Sequence, residues 1–189
     1  DLIIHRGPDS DGYYTDDEVA LGFRRLSIID LDSGDQPIYN EDKTKLVFLN
    51  GEIYNYKYLK EDLIAKGHKF TTNSDTEVLL HGYEEYKEEL LPMLRGMFAF
   101  IIYDINTHEL FGARDFYGIK PLYYYQNDKE FMFGSEIKSF LAHPNFKKEL
   151  NRDMLEDYLT FQYSVGEDTF FKNVYKLRHN KEFWTSLEV

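Results

Sequence analysis

Between residues 97 and 136 four apolar runs follow one another with only short turn-rich stretches between them: MFAFIIYD (97–104), HELFGARD (108–115), PLYYYQ (121–126) and EFMFGSE (130–136). Connections this short cannot hold the long crossover that a parallel strand pair needs, so the runs pair antiparallel. EVALGF (18–23) and KLVFLN (45–50) have the same character. Helical spacing occupies other stretches. In YNYKYLKEDLIAKG, Tyr56, Leu59, Leu63 and Ile64 recur on one face, and Gly67 falls where a left-handed C-terminal cap belongs. SDTEVLLHGYEEY opens with Ser74 and Glu77 at capping-box spacing. Further helices are expected over 88–94, 136–142 and 152–162. Strands and helices thus come in blocks, which predicts an α+β fold of stacked antiparallel sheets faced by helices.

Composition narrows what such a fold can be for. The 189 residues suit one domain with a sizeable core, and 42% hydrophobic with 17% aromatic content excludes a disordered chain. Against 34 Asp and Glu there are 22 Lys and Arg, a net charge of −12 that repels phosphate backbones and anionic lipid. Nucleic acid and membrane are therefore not expected partners. The longest apolar stretch, Met97 to Tyr103, is far too short to span a bilayer. With no Cys there is no disulfide, thiolate metal site or thiol nucleophile within the sequence. The absence of Met before Met93 gives the expectation of a fragment.

Several residues carry more than one chemical reading. Asn50-Gly51-Glu52 follows the strand KLVFL and fits a tight hairpin turn. The helical pattern that starts soon afterwards takes away the second strand of that hairpin, and puts Asn50 and Gly51 at a strand end ahead of a helix. There one side-chain NH₂ and one main-chain N–H can converge as an oxyanion hole, or the glycine can simply relieve crowding in a loop. Arg25 is a surface charge with a core-covering stem or a fork aimed at a carboxylate. Arg24 and Arg25 point to opposite sides if the strand continues, so at most one faces inward. Asp75 is a first-turn acid that complements the helix dipole, or a partner for an ammonium group. Asp9, Asp11, Gly12 and Glu18 fall on positions of a calcium loop, but Gly7 stands at its first ligand position, Pro8 at its second, and no room is left for an entering helix. The six His show no metal-ligand spacing, and no metal site is expected.

Taken together, HRGPDSDG (5–12), RRLSIIDLDSGDQP (24–37), NGEIYN (50–55), SDTEVLLHGYEEY (74–86), LRGMFAFIIYD (94–104) and ARDFYGIKPLYYY (113–125) closely resemble the N-terminal glutaminase domain of glutamine-hydrolysing asparagine synthetases, members of the class II glutamine amidotransferases. The likeness covers residues 1–177 and sets 178–189 apart as an atypical tail. It implies the N-terminal nucleophile fold, a four-layer αββα sandwich. It implies that Arg25 grips the α-carboxylate of glutamine, that Asp75 holds the α-ammonium with Glu52 nearby and main-chain carbonyls of Ile28 and Ile29 assisting, and that Asn50 and Gly51 form the oxyanion hole. A cytoplasmic location also follows from the resemblance.

In that family an N-terminal cysteine thiolate attacks the glutamine amide, and ammonia passes to the protein's own synthetase domain, where ATP and Mg²⁺ support conversion of aspartate to asparagine. The Cys strand and the ATP-binding loop are both missing from this sequence. No cofactor is therefore expected here, and the chain alone is expected to be inactive. A non-catalytic glutamine-binding or interaction module, or a sister class II amidotransferase with another acceptor, remains open, as does a homodimer.

Overall fold

The computed structural model describes residues 2–26, 34–164, 166–179 and 181–186. Ile28 and Ile29 lie outside the described residues. The central element is an antiparallel five-stranded sheet in the order β10 (Lys181–Ser186), β6 (Glu109–Arg114), β5 (Gly96–Asp104), β4 (Lys45–Ile53), β3 (Ile38–Tyr39). The middle of each inner strand is apolar because both faces are covered there. Val47, Leu49, Phe100, Ile102 and Phe111 pack to one side with Leu59, Leu63, Val78 and Leu79 of two helices, α1 (Tyr56–Ala65) and α2 (Asp75–Tyr86). The alternate residues Leu46, Phe48, Ile101, Tyr103 and Leu110 pack to the other side, as the period of two along a strand requires.

On that second side the sheet comes in two pieces, the pair β1 (Ser10–Thr15) with β2 (Ala20–Arg25), and the triple β8 (Phe131–Gly134), β7 (Tyr123–Gln126), β9 (Val174–Lys176). Leu21 of β2 and Leu122 beside β7 reach the shared core. Beyond the triple, Tyr125 and Val174 pack with Phe140 of a 3-10 segment, Ile137–Ala142. The helix α3 (Asp153–Phe161) is tied in by Tyr158, whose ring meets Phe170 at 5.1 Å. Helices, sheet, sheet and helical cover stack as the expected αββα sandwich.

Several local expectations need correction. Helix α1 buries Leu59 and Leu63, but Ile64 is 51% exposed. Gly67 (φ +106) does follow the helix, with His68 N–H donating to the Leu63 carbonyl and Gly67 N–H to that of Ile64, the double bond pattern of a Schellman end. Ser74 caps α2 by accepting from Thr76 N–H, yet Glu77 does not complete a capping box. Its carboxylate turns to the loop before the helix, accepting from the main-chain N–H and the hydroxyl of both Thr71 and Thr72. Segments 87–93 and 137–142 are 3-10 turns, the first interrupted by Pro92. The stretch with calcium-loop acids lies in and around β1. Residues 181–186, from the stretch set apart as a tail, form the edge strand β10.

The largest difference concerns Asn50-Gly51. The strand does not end there but runs on to Ile53, with Asn50 opposite Ala99, Gly51 opposite Phe98 and Glu52 opposite Met97. Nine-residue pairing to β5 overrides the local turn preference. Gly51 sits at φ +149, and a Cβ there would meet the Met97 carbonyl oxygen at 2.1 Å, so only glycine lets β4 and β5 approach this closely.

Candidate active site

One cavity of about 220 Å³ opens where the end of β2, the second half of β4 and the N-terminus of α2 meet. Arg25, Asn50, Gly51, Glu52 and Asp75 all line it, with Gln36 and Thr76 between them. Its volume is below the roughly 300–1,000 Å³ of drug-sized pockets, which suits a ligand of few heavy atoms.

Each group is held by a different part of the fold. Arg25 is the last residue of β2 and is 6% exposed; its Nη1 donates to Asp35 Oδ1 at 2.8 Å. Of the pair, Arg25 is the buried one, in keeping with the expectation that at most one faces inward, while Arg24 also borders the cavity. Its guanidinium is bound to the Gly7 carbonyl through Nε at 3.0 Å and faces Asp11 at 3.3 Å, so the stem borders the space while the charge is directed elsewhere. Asn50 donates from Nδ2 to Ser135 Oγ at 3.2 Å. Ser135 follows β8, so this bond joins the two sheet layers beside the cavity.

Asp75 is the first residue of α2 and is 4% exposed. Its Oδ2 accepts from Ile53 N–H at 2.8 Å, which ties the helix start to the end of β4. Burial raises its carboxyl above the ordinary value, and the Glu52 charge adds to this, while main-chain N–H groups including Ile53 pull it down without cancelling the effect. A cation entering the cavity near Asp75 and Glu52 would reverse that imbalance.

Gln36 was not singled out from the sequence, yet it aligns the two elements that bear the site. Its Oε1 accepts from Leu49 N–H at 2.6 Å, and its Nε2 lies 3.3 Å from both the Leu49 carbonyl and Thr76 Oγ1. One side-chain amide thereby fixes β4 against α2, one residue away from Asn50 and from Asp75. A glutamine before a proline is the only local signal, and it names no partner.

A second volume of about 330 Å³ adjoins the first, sharing Arg6, Phe23, Arg24 and Asn50 with it, and runs between β2 and β8. Next to Ser135, which lines this volume, Glu136 meets His5, Arg6 and Lys138. Partial desolvation opposes ionisation, but these three donors outweigh it and hold the Glu136 carboxyl down at about 2.

Antiparallel sheets stacked between helices, with a small polar cavity where β2, β4 and α2 meet, form a sandwich of the N-terminal nucleophile type. The fold is similar to the glutamine phosphoribosylpyrophosphate amidotransferase of B. subtilis solved with ADP and GMP, at a TM-score of 0.57 and 23% identity over 89% of this chain and 35% of that one. A family model described as a glutamine amidotransferase domain matches residues 1–187, and the chain belongs to that family. It is 50% identical over 182 residues to asparagine synthetase [glutamine-hydrolyzing] 1 of Bacillus subtilis, covering 96% of this chain and 29% of that protein. To asparagine synthetase [glutamine-hydrolyzing] 2 of Arabidopsis thaliana it is 51% identical over 138 residues, 72% of this chain and 24% of that protein. The chain thus spans under a third of the length of these relatives. Among the described residues no helix is long and apolar enough to cross a membrane.

Proposed function

We propose that the cavity binds free glutamine and that the chain is the glutaminase part of a larger asparagine-forming enzyme. The observation that supports this most is the gathering of a buried guanidinium, two acids, a side-chain amide and a glycine main chain around one small space in a member of the glutamine amidotransferase family. A free amino acid carries a carboxylate and an ammonium at one end. Arg25 takes the first by a charge-assisted fork, and Asp75 with Glu52 takes the second. The side-chain amide then lies toward Asn50 Nδ2 and the Gly51 main chain, where negative charge develops when a nucleophile adds to its carbonyl carbon.

In this reading a thiolate adds to that carbon, ammonia leaves with a proton from the nucleophile's own amine, and water cleaves the resulting thioester to glutamate. None of the 189 residues is a cysteine, so the chain as given binds glutamine and does not turn it over. ATP and Mg²⁺ belong to the synthetase part, which receives the ammonia, and no residue here is assigned to them.

The test has two arms. Calorimetric titration of this chain with glutamine should show binding that Arg25→Ala abolishes or weakens at least tenfold; no binding, or an unchanged dissociation constant in the variant, overturns the assignment of the cavity. With a thiol-bearing N-terminal strand joined to the chain, glutamine-dependent ammonia release should appear, and Asn50→Ala should lower kcat by about 10²–10³. Wild-type turnover in that variant removes Asn50 from the chemistry.

A further inference from the structure

Away from the cavity, one and a half turns along α2, two histidines face each other with ring centroids 5.1 Å apart. His81 is fully buried and His68 follows the C-terminal end of α1. One donor atom from each of Glu41, His68 and His81 lies within 4.8 Å of the others. His81 Nδ1 is 3.3 Å from Glu84 Oε2 and 3.7 Å from Glu41 Oε2, and His68 Nδ1 is 3.8 Å from the same Glu84 oxygen. Donors bound tetrahedrally to one zinc ion stand about 3.4 Å apart, given bonds of 2.0–2.2 Å. The gaps of 3.3, 3.7 and 3.8 Å approach that value, while those among Glu41, His68 and His81 reach up to 4.8 Å, so a bound ion would draw the donors inward.

Each of these groups also has a polar neighbour on its far side. Behind His81, Nε2 has no hydrogen-bond partner among the described residues and lies 3.6 Å from Glu77 Oε1. Behind His68, Nε2 lies 3.5 Å from Glu85 Oε2. The other oxygen of Glu84 accepts from Asn40 Nδ2 at 2.7 Å, and the other oxygen of Glu41 accepts from Lys69 N–H at 3.0 Å. A carboxylate behind each imidazole, and a donor behind each carboxylate, is the outer arrangement that orients metal ligands.

We infer that His68 Nδ1, His81 Nδ1, Glu84 and Glu41 form a binding site for a divalent transition metal of the zinc type. Two imidazoles and two carboxylates suit zinc or cobalt and disfavour Mg²⁺ and Ca²⁺, which take oxygen ligands in higher number. Four protein donors close the site, so its role is structural. It pins the turn after β3, the segment after α1 and the middle of α2 to one point, and so steadies the helix whose first residue is Asp75. Glu41, with a side chain 39% exposed, leaves an entry path. The inference does not depend on the glutamine reading.

The experiment is titration of the chelator-treated chain with Zn²⁺ by calorimetry and with Co²⁺ by visible absorption. Expected are one equivalent bound, the intense absorption of four-coordinate cobalt that Zn²⁺ bleaches, and no competition from excess Mg²⁺. Because His81→Gln alters a buried position, the diagnostic variants are His68→Asn and Glu41→Gln, each expected to weaken Zn²⁺ at least tenfold with an unchanged circular dichroism spectrum. His143→Gln, at an exposed histidine outside the cluster, should leave affinity unchanged. Absence of binding, a six-coordinate cobalt spectrum, or full affinity in both diagnostic variants overturns the site, and the two histidines are then packing groups held among carboxylates.

Discussion

Asp75 and Glu77 stand two residues apart in the first turn of one helix, are 4% and 1% exposed, and are driven in opposite directions. Residues two apart lie on different sides of a helix. Asp75 looks into the cavity with Ile53 N–H as its partner outside the helix and Glu52 close by, and burial carries its carboxyl upward. Glu77 looks into a loop that surrounds it with four donors. Burial opposes its charge as well, but His81 and the Thr71 and Thr72 groups outweigh it, and its carboxyl falls to about 2. Equal burial therefore says little about role. What separates the two is how far each charge is answered by the protein itself, and the acid left short is the one lining the cavity.

This contrast can be broken most decisively at Glu77. Glu77→Ala leaves two main-chain N–H groups and two hydroxyls of a folded loop without an acceptor, and should cost about 3–5 kcal/mol in urea unfolding. A loss below about 1 kcal/mol would show that the loop re-forms its bonds elsewhere. Asp75→Asn keeps an acceptor for Ile53 N–H and removes a charge that burial disfavours, so stability should stay within about 1 kcal/mol of wild type or rise. The same variant should weaken glutamine at least tenfold. A large stability loss with unchanged affinity would reverse the roles assigned to the two acids.

A smaller effect is expected from pH. The folded state raises the Asp75 carboxyl, so Asp75 favours folding when protonated and that contribution is lost as pH rises through its folded value. In the proposed function glutamine binds to the ionised form. Affinity should thus be highest above the raised value and fall as pH drops through it, and this fall should vanish in Asp75→Asn. The smallest effect should come from Thr72→Val, which removes one hydroxyl from Glu77 and should cost about 1 kcal/mol with no change in glutamine affinity.

How much of this was legible beforehand follows the same division. The two-faced strands of the central sheet and both long helices could be read from periodicity, since burial on one side or both leaves a repeating mark. The short pieces could not. Strand β3 has two residues and β9 three, too few for any repeat, and β1 is hidden by its Asp, Gly and Ser content. Asn50-Gly51 was read as a strand end because the pairing that carries β4 onward is with β5, distant in sequence. The resemblance pointed to Arg25, Asn50, Gly51, Glu52 and Asp75, which the fold brings to one cavity, whereas Gln36 and the His68–His81 pair had no local mark. Glu41, His68 and His81 are dispersed along the chain, and only the Schellman end of α1 and the packing of α2 bring them together.

The bond from Ile53 to Asp75 has one more consequence. Ile53 is itself fully buried and ends the strand that bears Asn50 and Gly51. In a ¹⁵N-labelled sample its amide resonance is therefore a resident gauge of the neighbouring carboxyl, shifting when that group loses its proton and again when a cationic head settles beside it. Under the proposed function the chain thus contains a spectroscopic readout of occupancy that requires no turnover.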